Sequence, residues 1–175
     1  MKKLISLVVF AGLFATQVNA QKPAEDKSKR PSPPAKVTQA IAGGASITVD
    51  YSQPSVKGRT IGKDIEPMEG KVWRTGANEA TVFETDKNVT IDGSELPAGK
   101  YGLFTIFDGN DVTLIFNKTW KQWGAFDYKM EEDALRIKAK AMEANPPAEK
   151  LTFTINPAGE VNMLWGNKMV AFTVK

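Results

Sequence analysis

A chain of 175 residues with 23 lysines and arginines against 20 acids, and with neither cysteine nor histidine, excludes several function classes at once. Ser-His-Asp and Cys-His nucleophile systems and the usual zinc sites are impossible, and no disulfide can stabilise the fold. Carboxylate, lysine, tyrosine, arginine and carbonyl-oxygen chemistry remain, no cofactor or metal is indicated, and the length suffices for one hydrophobic core.

At the start of the chain, Lys2 and Lys3, an apolar stretch over residues 4–14 and small residues in Val18-Asn19-Ala20 form the three-part pattern of a cleavable signal peptide, residues 1–20. The apolar run is shorter than the about 20 residues a membrane-crossing helix needs. With no cysteine to carry a lipid, the expectation is export to the periplasm or the extracellular space, without stable membrane insertion after cleavage. Cleavage lowers Lys and Arg from 23 to 21 against 20 acids, a net charge of +1. That balance lacks the basic excess of nucleic-acid binders, so no nucleic-acid partner is expected.

Residues 21–36, QKPAEDKSKRPSPPAK, are rich in proline and charge and hold no large apolar side chain. They read as a disordered leader, which puts the folded domain at residues 37–175. From there on, short β-type runs are broken by turn residues. Ile47, Val49 and Tyr51 alternate with Thr48 and Asp50; Leu151, Phe153 and Ile155 alternate with threonines; Val170, Phe172 and Val174 alternate with Ala171 and Thr173. Period-two alternation marks half-buried strands. Residues 100–107 and 112–116 are apolar on both faces and predict central strands covered on both sides. Residues 131–144 have helix-favouring composition, yet Leu135, Ile137, Ala139 and Ala141 alternate with charges, which predicts a strand.

Asp92-Gly93, Pro97-Ala98-Gly99, Asp108-Gly109-Asn110, Pro157-Ala158-Gly159 and Gly166-Asn167-Lys168 each read as turns separating two runs. The expected fold is all-β: a single antiparallel β-sandwich or compact β-barrel-like domain of about eight or nine strands. An outer-membrane barrel would need strands of about 9 to 11 residues, and most runs are shorter.

Arginine use is the most informative internal signal. The chain has 19 lysines but four arginines, and Arg30 falls in the leader, which leaves Arg59, Arg74 and Arg136 for the domain. Arginine is preferred where a planar, forked donor must hold a carboxylate, phosphate or carbonyl. Residues 73–79 gather Trp73, Arg74, Asn78 and Glu79 around Gly76, either as a polar binding site or as a hydrogen-bonded corner. Asn117, Trp120, Trp123, Asp127 and Tyr128 form a second concentration, readable as a sugar-stacking platform or as aromatic core anchors. Glu79 and Asp127 could pair as the two acids of a glycoside hydrolase, a separation that sequence does not reveal.

These same segments resemble a bacterial family known as domain of unknown function 2911. The matching strings are Asp50-Tyr51-Ser52 with Pro54 and Lys57-Gly58-Arg59; Val72-Trp73-Arg74-Thr75-Gly76-Ala77-Asn78-Glu79-Ala80-Thr81; Leu96-Pro97-Ala98-Gly99-Lys100-Tyr101; Phe116-Asn117 with Trp123-Gly124-Ala125-Phe126-Asp127-Tyr128; and Asp133 with Arg136. The resemblance runs from Pro33 to the C-terminus. It implies exported proteins of Bacteroidetes-type bacteria and supports a strand over residues 134–140, but it brings no activity. One departure is that the family often has an aromatic near Ile61-Gly62, where this chain has none.

The functional expectation is a non-catalytic binding or interaction module of the periplasm or cell surface. Arg59, Arg74, Asn78, Glu79, Asn117, Trp123, Asp127, Tyr128 and Arg136 would line or support one polar site for a small anionic or polyhydroxy ligand or an envelope glycan. The alternatives are a carboxylate-dependent hydrolase acting on such a glycan and a structural envelope protein without a ligand.

Overall fold

A computed structural model describes residues 25–175. The signal peptide expected over residues 1–20 lies outside the described residues. Nine strands form the domain: β1 (Pro34–Ala40), β2 (Ser46–Ser52), β3 (Thr81–Thr85), β4 (Val89–Ile91), β5 (Ser94–Leu96), β6 (Gly99–Asp108), β7 (Asp111–Asn117), β8 (Asp133–Ile155) and β9 (Glu160–Thr173). Seven of them make one antiparallel sheet in the order β1-β2-β3-β6-β7-β8-β9, and β4-β5 form a small hairpin. The sheet curls on itself. Beyond β2, Val56 N–H donates to the Glu149 carbonyl (2.8 Å) and Leu151 N–H to Pro54 (3.0 Å), joining that segment to the far half of β8.

The alternating runs bury the faces expected of them. Ile47, Val49 and Tyr51 on β2, Leu151 and Phe153 on β8, and Phe172 on β9 all enter the main core. Phe83 of β3 is its aromatic centre, edge-on to Phe116 at 5.1 Å and 6.2 Å from Phe172. Strands β6 and β7 lie mid-sheet and are covered on both sides. Phe104 and Ile115 point away from the main core into a second cluster with Ala80, closed by Val72, Ala125 and Tyr128. Continuous apolar runs in sheets have this cause.

Four of the five turn signals sit between strands. Asp92 (φ 46) and Gly93 (φ 87) close the β4-β5 hairpin in the left-handed region, as a two-residue loop matched to strand twist requires. The fifth differs: Gly166-Asn167-Lys168 lies inside β9, where Gly166 (φ 58) faces Ala148 across an irregular register. Positive-φ glycine serves a bulge as readily as a turn. Residues 131–144 and 151–155 likewise belong to one element, β8. Its register shifts between Glu143 and Thr152, the stretch that holds Pro146-Pro147, which cannot donate to a ladder.

The leader also differs from expectation in its described part, residues 25–36. Lys27–Lys29 form a 3-10 turn capped by the Asp26 side chain, and β1 begins at Pro34 and pairs Pro34 with Ser52. Composition alone indicates that this segment cannot bury a core of its own. It orders instead against polar partners supplied by the domain.

Two long connections carry most of the candidate residues. Arg59, Arg74, Asn78 and Glu79 lie between β2 and β3; Trp123, Asp127 and Tyr128 lie between β7 and β8. The connections meet: Ala80 N–H donates to the Gln122 carbonyl (3.0 Å), Gly124 N–H donates to Asn78 (2.9 Å), and Glu79 bridges Trp123 in antiparallel fashion.

Candidate functional site: a pocket with two arginines and a guanidinium-covered indole

The connection before β3 is a rigid corner. Trp73 is buried, its backbone exchanges hydrogen bonds with Thr105 (2.8 and 2.9 Å), and its indole N–H donates to the Gly76 carbonyl at 3.0 Å. Thr75 (φ 54) and Asn78 (φ 57) adopt left-handed backbone. For a β-branched residue such as Thr75 this costs of the order of 1–3 kcal/mol. Its surroundings hold it there: the Thr75 hydroxyl donates to Thr105 Oγ1 (3.2 Å) and the Thr81 hydroxyl donates to the Thr75 carbonyl (2.8 Å). Gly76 is needed for close approach, since a Cβ there would lie 2.8 Å from Thr81 Oγ1 and 3.2 Å from the Ser52 carbonyl.

Arg74 of this corner lines a pocket of about 380 Å³ together with Arg59, with Asp64, Glu66 and Trp165 also in its walls. Arg74 is half-buried, and burial lowers its pKa, partly offset by Glu66. Its Nε finds no acceptor among the described residues. Arg59 is exposed and fixed by its own loop, Nε donating to Val56 O (3.1 Å) and Nη2 to Ser55 O (2.6 Å), so one edge of the guanidinium is left for the pocket. The two acids are engaged elsewhere: Asp64 Oδ2 accepts from Thr60 N–H (2.8 Å) and Glu66 Oε2 from Met68 N–H (2.7 Å). The Trp165 indole donates to the Glu66 carbonyl (2.8 Å), which locks the ring as a wall.

Glu79, next along the same corner, faces a different partner. Its carboxylate accepts from Lys27 Nζ (2.7 Å) and Arg30 Nη1 (2.8 Å). Burial pushes the Glu79 carboxyl up, but the bonds from Lys27, the backbone and Arg30 outweigh it and hold the group below the usual range. The Arg30 guanidinium also forks onto Glu25 (2.8 and 2.6 Å) and lies 5.6 Å from the Trp123 ring centroid, within cation-π reach. Trp123 is 53% exposed and Phe126 85% exposed. An open groove of about 420 Å³ is lined by Glu79, Ala80, Trp120 and Trp123.

The remaining candidates form a third group. Asn117 is fully buried, and its amide donates to Lys129 O (2.9 Å) and Asp133 Oδ1 (2.7 Å) while its oxygen accepts from Thr119 N–H (2.9 Å). Tyr128 donates to Asp133 Oδ2 (2.8 Å), and Arg136 pairs with the same carboxylate oxygen and with the Tyr128 hydroxyl. Burial, then the Asp133 bond, raises the Tyr128 pKa. This cluster ties the β7-β8 connection to both strands. Asp127 is exposed and makes no hydrogen bond or ion pair among the described residues. No three acidic side chains among them converge as a metal site would require.

The structure thus puts Arg59 and Arg74 in the lining of one pocket and Glu79 beside Trp123. It keeps Asn117, Tyr128 and Arg136 together in a separate corner. The description "protein of unknown function (DUF2911)" matches residues 32–174. The chain belongs to this family. No curated protein and no solved structure matches it. The matched region contains both arginines of the pocket and all of the corner at residues 73–81, but not Arg30. Sequence reading passed over Arg30 because it stood among lysines and prolines; the signal available was its being the one arginine in a lysine-rich leader.

Proposed function

We propose that this DUF2911 protein is an exported, non-catalytic binding module of the periplasm or cell surface, and that the pocket between Arg59 and Arg74 takes a small polyhydroxy acid such as a uronate. The observation that carries this reading is Arg74. It is a half-buried cation without an ion-pair partner among the described residues, and its Nε is without an acceptor. A half-buried cation without an internal counter-ion is costly, and an anion in the pocket that Arg74 lines would supply that charge. A carboxylate seated between the guanidinium groups would supply acceptors in the geometry arginine suits. The outer oxygens of Asp64 and Glu66 would take hydroxyls, and Trp165 offers an apolar wall. The volume of about 380 Å³ lies in the range of small-ligand sites.

Glycan hydrolysis draws no comparable support. It needs an acid kept protonated near neutral pH, whereas the carboxyls with displaced pKa, Glu25, Asp26 and Glu79, are all displaced downward. Titration calorimetry with galacturonate, galactose and inorganic phosphate tests the proposal. Galacturonate is expected to bind, galactose not to, and Arg74→Met to weaken galacturonate at least tenfold. Absence of galacturonate binding at millimolar concentration, or binding that Arg74→Met leaves intact, overturns it.

A further inference from the structure

The contacts of the leader have the form of peptide recognition. Arg30 has φ −67 and ψ 150, the polyproline II region, and three of the next four residues, Pro31, Pro33 and Pro34, are prolines, which fix φ near that value. The segment, which bends through Arg30, Pro31 and Ser32 before β1, is held at three points in succession. Glu79 and the Trp123 face take the Arg30 side chain, the Asn78 amide donates to the Ser32 carbonyl (2.9 Å), and Gln53 N–H donates to the Pro33 carbonyl (2.8 Å). The Arg30 side chain is 12% exposed in a segment whose other charges stand in solvent. An aromatic face, an acid for the arginine and amide donors for the carbonyls are elements by which domains hold a short peptide segment.

We propose that the face formed by Asn78, Glu79 and Trp123 is a receptor for an arginine-proline peptide segment, Arg-Pro-x-Pro, and that residues 30–33 of the chain itself occupy it. Tethering makes the internal segment a strong competitor, because a short linker presents it at millimolar effective concentration. A partner or a second copy bearing the same segment binds once Arg30 is lost or outnumbered. The site adjoins the pocket of Arg59 and Arg74 and takes a cation where that one takes an anion. Ser32 belongs to both, lying in the wall of the pocket, so exchange of the leader would reshape the anion site.

The test uses the chain from residue 21 onward and a fluorescein-labelled peptide of residues 25–34, EDKSKRPSPP, followed by anisotropy. The Arg30→Ala chain is expected to bind the peptide at least tenfold more tightly than the wild type, whose own arginine fills the site. Adding Glu79→Gln to Arg30→Ala should weaken binding at least tenfold, and a peptide with lysine at position 30 should bind several-fold more weakly than the arginine peptide. Equal binding to wild type and Arg30→Ala, or binding indifferent to Glu79→Gln, overturns the proposal. Circular dichroism of each variant shows whether it is folded. If Arg30→Ala is not, Arg30→Lys serves in its place, with the same ordering expected.

Discussion

Replacing Arg74 by methionine separates a ligand-binding arginine from a structural one. Methionine keeps an unbranched stem of similar reach and removes the guanidinium, whose Nε is buried without an acceptor. An unsatisfied buried donor costs about 1–3 kcal/mol. What is lost is the attraction to Glu66, which forms no ion pair with Arg74 and is worth at most about 1 kcal/mol at such a partly solvated site. The balance favours the variant by about 1 kcal/mol, which for a domain of this size raises Tm by about 2–4 °C. The ligand should reverse the order. At a galacturonate concentration of 100 times the wild-type Kd the wild type gains about 2.7 kcal/mol and a variant that binds at least tenfold more weakly at most about 1.4 kcal/mol, so the wild type should then melt higher. Thermal denaturation followed by circular dichroism, with and without galacturonate, reads both comparisons. A variant that melts 2 °C or more below the wild type in plain buffer would refute the reasoning, because Arg74 would then be a structural tie.

Asn117→Ala removes three hydrogen bonds from a fully buried side chain and strips Asp133 of a donor. It should cost about 2–4 kcal/mol in urea denaturation without changing galacturonate affinity. Gly76→Ala should cost about 1–3 kcal/mol by overpacking against Thr81 and Ser52; an unchanged urea midpoint would show that the corner relaxes freely. Leader docking should depend on pH through Glu79. Its carboxyl is depressed in the folded chain, so its contribution is present above the unfolded pKa of about 4.3 and is lost as pH falls through the folded value. Tryptophan emission, sensitive to Arg30 over Trp123, should therefore hold steady from pH 8 to about 5 and change below about pH 4. Glu79→Gln should shrink that transition to what Glu25, the other carboxylate on Arg30, contributes.

Strand existence was legible wherever one face is buried, because alternation with period two is itself the record of burial. That is why Ile47, Val49 and Tyr51, or Leu135, Ile137, Ala139 and Ala141, read as strands despite the helix-favouring composition of the latter. Turn chemistry was legible for the same local reason, except at Gly166, where a left-handed glycine makes a bulge inside β9 and not its end. The candidate residues were legible as types and not as partners. Nothing in the spacing of Asn117, Tyr128 and Arg136 distinguishes a ligand site from the Asp133-centred corner they form, since both use the same donors and acceptors.

By itself, the sequence determined an all-β, cysteine-free domain of about eight or nine strands, the family to which it belongs, and the scarcity of arginine that singles out a few side chains. These are properties of local pattern and composition, which each segment carries alone. Only the tertiary structure decided that Arg59 and Arg74 line one pocket, that Glu79 accepts from Lys27 and Arg30, and that residues 25–36 pack against the domain. Those outcomes depend on where two long connections meet. Glu79 and Trp123 are 44 positions apart in the chain, and their contact arises where the β2-β3 and β7-β8 connections pair backbone to backbone.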